Sequence, residues 1–366
     1  MLQTDITRES TNLYKGVGIL LIVLHNYFHN IPPIIGQNEF VFHLAVTDRF
    51  VDAILDSPTN WLRAIFSYLG HYGVQLFIFL SAFGLTKGYL DKTVRYTTFL
   101  KKRFSKIYLS FAICVAVYVA LGILKTIYLT DEKVLYWDSL AWKLLLVSNL
   151  VPGQAMKPVG PWWFIPFILQ FYLLFPFLLQ TYRRFGVFSL FAISIASLTV
   201  EFLLNPYLIG YGININYNAI GHLPVFCLGI YFASRPQLHI PSSILFTSAA
   251  IFLLGCLYPA AWLLADLCMT ILMLSVFRWF FRKLSETGVA IYIIGFYGAI
   301  SFHLFMVNGF LRSPFHDIAV QYNLWWLTIL CGFANLLFSS IFAIVLRYMD
   351  NMLRYYLPIV RRSWQT

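Results

Sequence analysis

Lys15-Gly16-Val17-Gly18-Ile19-Leu20-Leu21-Ile22-Val23-Leu24-His25-Asn26-Tyr27-Phe28-His29-Asn30-Ile31 is an apolar run that opens on a lysine and carries two histidines. Its length suits a helical membrane span of roughly 17–25 residues, and Pro32-Pro33 closes it. Nine similar runs follow, over about 68–89, 107–128, 161–180, 186–204, 217–233, 242–258, 260–278, 288–310 and 323–347. Breaks rich in Pro and Gly lie at Val151–Pro161 and Pro236–Pro241. The alternation of a membrane barrel strand is absent. These runs predict an all-α fold, a polytopic membrane helix bundle of about ten transmembrane helices, organised as one domain over residues 1–366 with no internal repeat.

Composition requires the same solvent. The chain is 60% hydrophobic and only 11% charged, with a mean hydropathy of +0.73. Soluble domains carry roughly 25% charged residues to hold their surface in water. A bilayer takes the place of that water, and helices satisfy the backbone groups that lipid cannot. Cys114, Cys227, Cys256, Cys268 and Cys331 all sit inside apolar runs without a CxxC pair, which reads as small buried hydrophobes. Met1–Tyr14 is polar and no small-residue cleavage site follows the first run, so the first span is expected to persist. The net charge of +11 could suit nucleic acid, but its distribution points to a lipid bilayer and to no nucleic-acid partner.

With the N-terminus in the cytoplasm, only Arg49, Arg63, Lys133, Lys143, Lys157 and Arg312 of the 26 Lys and Arg fall on the outer side. Lys125 lies within the third span, and the other 19 are inner. That bias places both termini in the cytoplasm. The cluster Lys101–Lys106 has two readings, anchoring to anionic headgroups or binding a phosphate-bearing cytosolic substrate.

Ionisable residues inside spans are costly and usually face a protein interior or a wet cavity. His25 follows Lys15 by ten residues, about 15 Å of helix, which predicts a position near mid-bilayer. His29 lies one turn further on. Glu201, His222, Asp266, His303 and His71 are expected toward the outer ends of their spans. For the histidines among them a hydrogen-bonded structural role competes with function. For Glu201 and Asp266 the competing role is a helix–helix hydrogen bond. His25 and His29 have the spacing of a helical zinc pair, but Asn26 stands where a metalloprotease needs Glu and no third ligand follows, so no metal is expected. A neutral imidazole at depth suits a general base acting on a hydroxyl.

The run Lys15 to His25 resembles the first span of the acyltransferase 3 family, membrane-bound acyltransferases of which many O-acetylate bacterial surface polysaccharides. Gly70-His71-Tyr72-Gly73-Val74-Gln75-Leu76-Phe77-Ile78-Phe79-Leu80-Ser81-Ala82-Phe83-Gly84 resembles that family's GxxGVxxFFxLSGF run. Phe99-Leu100-Lys101-Lys102-Arg103-Phe104-Ser105-Lys106-Ile107-Tyr108 is similar to its RxxRIxP segment. Trp163-Phe164 and Gln170-Phe171-Tyr172-Leu173-Leu174-Phe175-Pro176 are similar to WxLxxExQFYLxxP, and Gly298–Phe305 is a weaker echo. The chain departs from the family at Lys15, where Arg is usual, and at Asn26, where the histidine commonly lies. It also has Lys106 for Arg, Leu109 for Pro, Ile168 and Leu169 at acidic positions, and Asn308 where some relatives carry His.

The resemblance implies a bacterial inner (cytoplasmic) membrane O-acyltransferase with no bound cofactor and acyl-CoA, foremost acetyl-CoA, as co-substrate. Arg103, with Lys15, Lys102 and Lys106, would hold the CoA phosphates. His25 or His29 would then deprotonate a hydroxyl of an extracytoplasmic polysaccharide or glycolipid, or carry the acyl group itself. Glu201, Asp266, His303 and Trp163 are the candidates on the acceptor side. Trp61, Trp162 and Trp163 suit either sugar stacking or an interfacial aromatic belt. A secondary transporter with a midplane His/carboxylate site is the rival, although no paired inverted repeats are visible. A non-catalytic membrane subunit is a third reading.

Overall fold

The computed structural model describes residues 6–33, 35–128, 135–235, 237–284 and 288–356. Lys133, Arg361, Arg362, Pro236 and the first five residues of the polar Met1–Tyr14 segment lie outside them. Among the described residues there is no strand, and ten helices fall on the ten expected spans. They are α1 Arg8–Phe28, α2 Gly73–Tyr89, α3 Tyr96–Tyr128, α4 Phe164–Phe185, α5 Val187–Gly210, α6 Leu223–Ala233, α7 Ser242–Gly255, α8 Ala265–Lys283, α9 Val289–Leu311 and α10 Trp325–Tyr356.

Among the described residues, six helical stretches are long and apolar enough to cross a membrane: Pro58–Tyr89, Tyr96–Tyr128, Gly160–Phe185, Val187–Gly210, Val289–Leu311 and Trp325–Tyr356. Ala219–Ala233 and Ser242–Gly255 are apolar but shorter. In α1 the polar side chains Asn12, Lys15, His25 and Asn26 dilute the run, as Asp266, Arg278 and Arg282 do in α8. The protein is a polytopic membrane helix bundle. Its rim carries large apolar side chains with nothing over them, including Phe188 and Phe191 on α5, Leu253 on α7, Trp279 on α8 and Leu337 on α10. Water would not tolerate so wide an apolar surface, whereas acyl chains would.

α1 runs through the interior against α9, α2 and α10. Two glycines set the closeness of α1 and α9, because a Cβ on Gly16 would overlap the Ile294 carbonyl and one on Gly298 the Asn12 carbonyl. Without a hydrophobic drive between helices in lipid, such backbone contact is what holds a pair together. Thr7 starts α1 by accepting from the Ser10 N–H at 3.1 Å, and Ser10 Oγ accepts from the Thr7 N–H at 2.8 Å. This capping box satisfies two orphan donors at once.

α3 begins at Tyr96, so the basic cluster at 101–106 rides on the same helix as the apolar run that follows it. Trp162 and Trp163 do not form an aromatic belt, since both are buried and Trp162 Nε1 donates to the Met306 carbonyl at 2.8 Å. Trp61 is half-exposed and donates to the Ile54 carbonyl.

Candidate active site

His25 occupies the last turn of α1. The helix ends at Phe28, and protein encloses the ring. The turn Gly70–Tyr72 passes so close that a Cβ on Gly70 would stand 2.7 Å from His25 Cβ. Residues beyond the helix fold back, with the Gly36 N–H donating to the His29 carbonyl at 2.9 Å and bringing Gln37 over the ring. His25 is 1% exposed.

The neighbours of His25 fix its tautomer. Nδ1 lies 2.9 Å from the Ser67 carbonyl and 3.3 Å from the Phe66 carbonyl, both of which can only accept. Nδ1 therefore carries hydrogen, and the ring's basic lone pair belongs to Nε2. Gln37 Oε1 stands 2.9 Å from Nε2, an arrangement that suits the imidazolium. A half-turn of the Gln37 amide presents its NH2 instead and suits the neutral ring. One side chain can thus bond His25 in both protonation states. His29 stacks on His25 with ring centroids 4.6 Å apart, and its Nδ1 donates to the His25 carbonyl at 2.8 Å. His71 meets His25 edge-on at 5.3 Å. Both His71 nitrogens are buried without a hydrogen bond of normal geometry.

These imidazoles border a small chamber of about 40 Å³, closed on other sides by Gln37, Glu39, Trp163 and Arg312. At roughly 10–15 Å³ per water, it has room for a few waters or one short acyl group. A second, wider cavity of about 810 Å³ is cationic. Lys15, Arg103, Lys106, Arg347 and Arg354 line it from α1, α3 and α10. Arg103 lies over the Phe99 and Tyr172 rings. Asp350 is the counter-charge, 2.8 Å from Arg354 Nε, 2.9 Å from Ser110 Oγ and 3.4 Å from His303 Nε2. Ile22, Val74 and Phe305 line both cavities.

The remaining polar residues gather beside the small chamber. His222 Nδ1 is 3.3 Å from Asp266 Oδ2, which also accepts from Gln75 Nε2 at 2.7 Å. His222 Nε2 faces the Asn216 carbonyl at 3.0 Å, and Trp163 stacks on the ring at 5.9 Å. Glu201 is buried near Asn216 and His222. Glu39, on the loop beyond α1, lies near Asp266; burial first, and that neighbouring charge second, hold its carboxyl well above the usual Glu range.

A family model described as an acyltransferase domain matches residues 8–344. The chain belongs to the acyltransferase 3 family. No curated protein and no solved structure matches it. Within this membrane acyltransferase, His25 and His29 meet at one chamber, and Lys15, Arg103 and Lys106 meet at the other. Lys102, on the same helix, does not line the cationic cavity. Glu201, Asp266 and Trp163 lie near His222, and His303 does not join them. α9 turns His303 toward α10, where it faces Asp350 and lines the cationic cavity. Sequence reading missed Gln37, Arg347, Asp350 and Arg354 as site residues. Arg347 and Arg354 had signalled only orientation, although their spacing of seven puts them on one helix face. Among the described residues no group of three His, Cys, Asp or Glu side chains is arranged to hold a metal.

Proposed function

We propose that this membrane acyltransferase moves an acyl group, acetyl in the simplest case, from cytoplasmic acyl-CoA to a hydroxyl of an extracytoplasmic carbohydrate. The observation that supports it is the pairing of a wide cationic cavity with a narrow histidine chamber across three shared apolar side chains. CoA has phosphates at one end and a thioester at the other, joined by a slim arm. Lys15, Arg103, Lys106, Arg347 and Arg354 suit the first by charge-assisted contacts, and the chamber at His25 suits the second.

In this reading His25 Nε2 takes the proton of the acceptor hydroxyl as its oxygen attacks the thioester carbonyl carbon, and the carbonyl electron pair moves onto oxygen. When the pair returns, the C–S bond breaks and the thiolate takes the proton from His25. Gln37, which faces the same nitrogen, gives way to the hydroxyl and offers its amide oxygen to the ring once the proton has passed. His29 holds the end of α1 and the stacked ring in place. The acceptor approaches past Glu39, Asp266, Glu201 and Trp163. A bacterial inner membrane, cytoplasmic termini and a single domain over the whole chain complete the proposal.

The test uses the purified full chain with labelled acetyl-CoA and candidate glycans. Label appearing on glycan in ester linkage is the expected result. Uptake of solute driven by an ion gradient, with no acyl chemistry, would overturn the proposal in favour of a transporter.

A further inference from the structure

The histidine chamber also contains a cation. Arg312 follows the last residue of α9 and lines the same small chamber as His25. It is the one Lys or Arg among the described residues lining that space. Its Nη1 donates to the Asn26 carbonyl at 2.5 Å, which fixes the guanidinium beside the end of α1. Asn26 is itself tied to α9, donating through Nδ2 to Asn308 Oδ1 at 3.0 Å. Nε and Nη2 of Arg312 have no protein partner among the described residues, and no carboxylate there lies within 4.0 Å of it.

Capping is the plainer role for this arginine. The Asn26 carbonyl is one of the orphan acceptors at the C-terminus of α1, and an arginine there complements the helix dipole. That role occupies one N–H of five. A solvent-exposed arginine would need nothing more. Arg312 instead lines a narrow chamber bordered by three imidazoles, with a full positive charge and with donors that no protein group among the described residues takes. A group that develops negative charge in that chamber would meet donors already in position, and an enclosed site magnifies such stabilisation.

We infer that Arg312 is a further catalytic residue, which stabilises the oxyanion formed when the acceptor hydroxyl attacks the acyl carbonyl. The inference rests on the acyl-transfer reading of this chamber. In the step, the carbonyl π pair moves onto oxygen beside Arg312 as the new C–O bond forms and the hydroxyl proton passes to His25 Nε2. The pair returns when the C–S bond breaks, and Arg312 neither gains nor loses a proton. His25 handles the proton and Arg312 the charge, from the ends of two helices that Gly16 and Gly298 lock together.

The same donors would also suit an anionic substituent on the acceptor, and kinetics separate the two sources. Arg312→Gln is expected to lower kcat by about 10²–10³-fold, leaving KM for acetyl-CoA and for acceptor within a few-fold of wild type. Arg312→Lys keeps charge without the fork and is expected to retain more activity than Arg312→Gln. Added guanidinium should restore part of the turnover lost in Arg312→Ala, which a merely structural cap would not allow. Should Arg312→Gln fail to fold, as judged by size exclusion in detergent, Arg312→Lys and guanidinium rescue of Arg312→Ala carry the test. Unchanged kcat in a folded variant, or a rise confined to acceptor KM, would overturn the inference. If wild type itself transfers no acyl group, the proposed function has failed instead.

Discussion

The two cavities solve different problems with different materials. The wide one is built from long cationic side chains on three helices, with Asp350 tethering Arg354 and Arg103 lying over two rings. Its attraction depends on how many charges converge, so the loss of one is partial. The narrow one holds His25, whose Nδ1 faces backbone carbonyls and whose Nε2 faces Gln37, and His29, whose Nδ1 faces the His25 carbonyl. Its proposed chemistry depends on which His25 nitrogen carries hydrogen, so the loss of that one ring should be far more severe. Charge number suits binding, and a fixed tautomer suits proton transfer.

That contrast can be broken most directly at His25. His25→Ala should lower acyl transfer by about 10²–10⁴-fold, while labelled acetyl-CoA still binds in an equilibrium assay. Transfer near the wild-type rate would remove the imidazole from the mechanism. Arg103→Ala should raise the KM for acetyl-CoA by about 10–100-fold, the loss expected for a charge-assisted contact, with kcat little changed. Lys102→Ala is its control, because Lys102 lies on the same helix outside the cavity; equal effects from the two would mean that general basicity, not the cavity, recruits the donor.

A smaller effect sharpens the narrow side. Gln37→Leu should reduce kcat by about 10-fold, the worth of one hydrogen bond to a charged ring, while Gln37→Glu should favour imidazolium and move the pH–rate profile to higher pH. No change in either variant would show that Gln37 does not attend the proton. The smallest effect concerns Glu39. Its folded carboxyl keeps its proton well above the usual Glu range. The folded chain therefore binds the extra proton, and stability falls as pH rises from that range toward the folded value. Glu39→Gln should flatten this slope by on the order of a degree or two in Tm, read by thermal melts in detergent across pH. A slope unchanged by the substitution would mean that the carboxyl is ionised in the folded state.

The fold was legible because lipid imposes one requirement throughout the chain. Runs of apolar residues had to become helices, and ten of them do. The cationic cavity was legible in part because the family resemblance grouped Lys15, Arg103 and Lys106, which do line it together. The narrow chamber was not. Gln37 and Glu39 reach it from an irregular loop, whose path no periodicity records. Arg312 lies nearly three hundred residues from the histidine it faces, at the helix end that sequence reading marked only as outer. Span position gave His303 a height but not the direction in which its side chain turns. Its partner Asp350 comes from a helix that sequence cannot place beside α9.

The glycine contact between α1 and α9 has a consequence for substrate choice. Lys15 and His25 both ride on α1, a fixed ten residues apart, about 15 Å of helix, and the glycine contact holds that ruler in place against α9. Under the proposed reading, a thioester donor would be measured as well as bound. One whose head group and reactive carbon are separated by much less than that interval cannot touch both marks at once, whatever its charge.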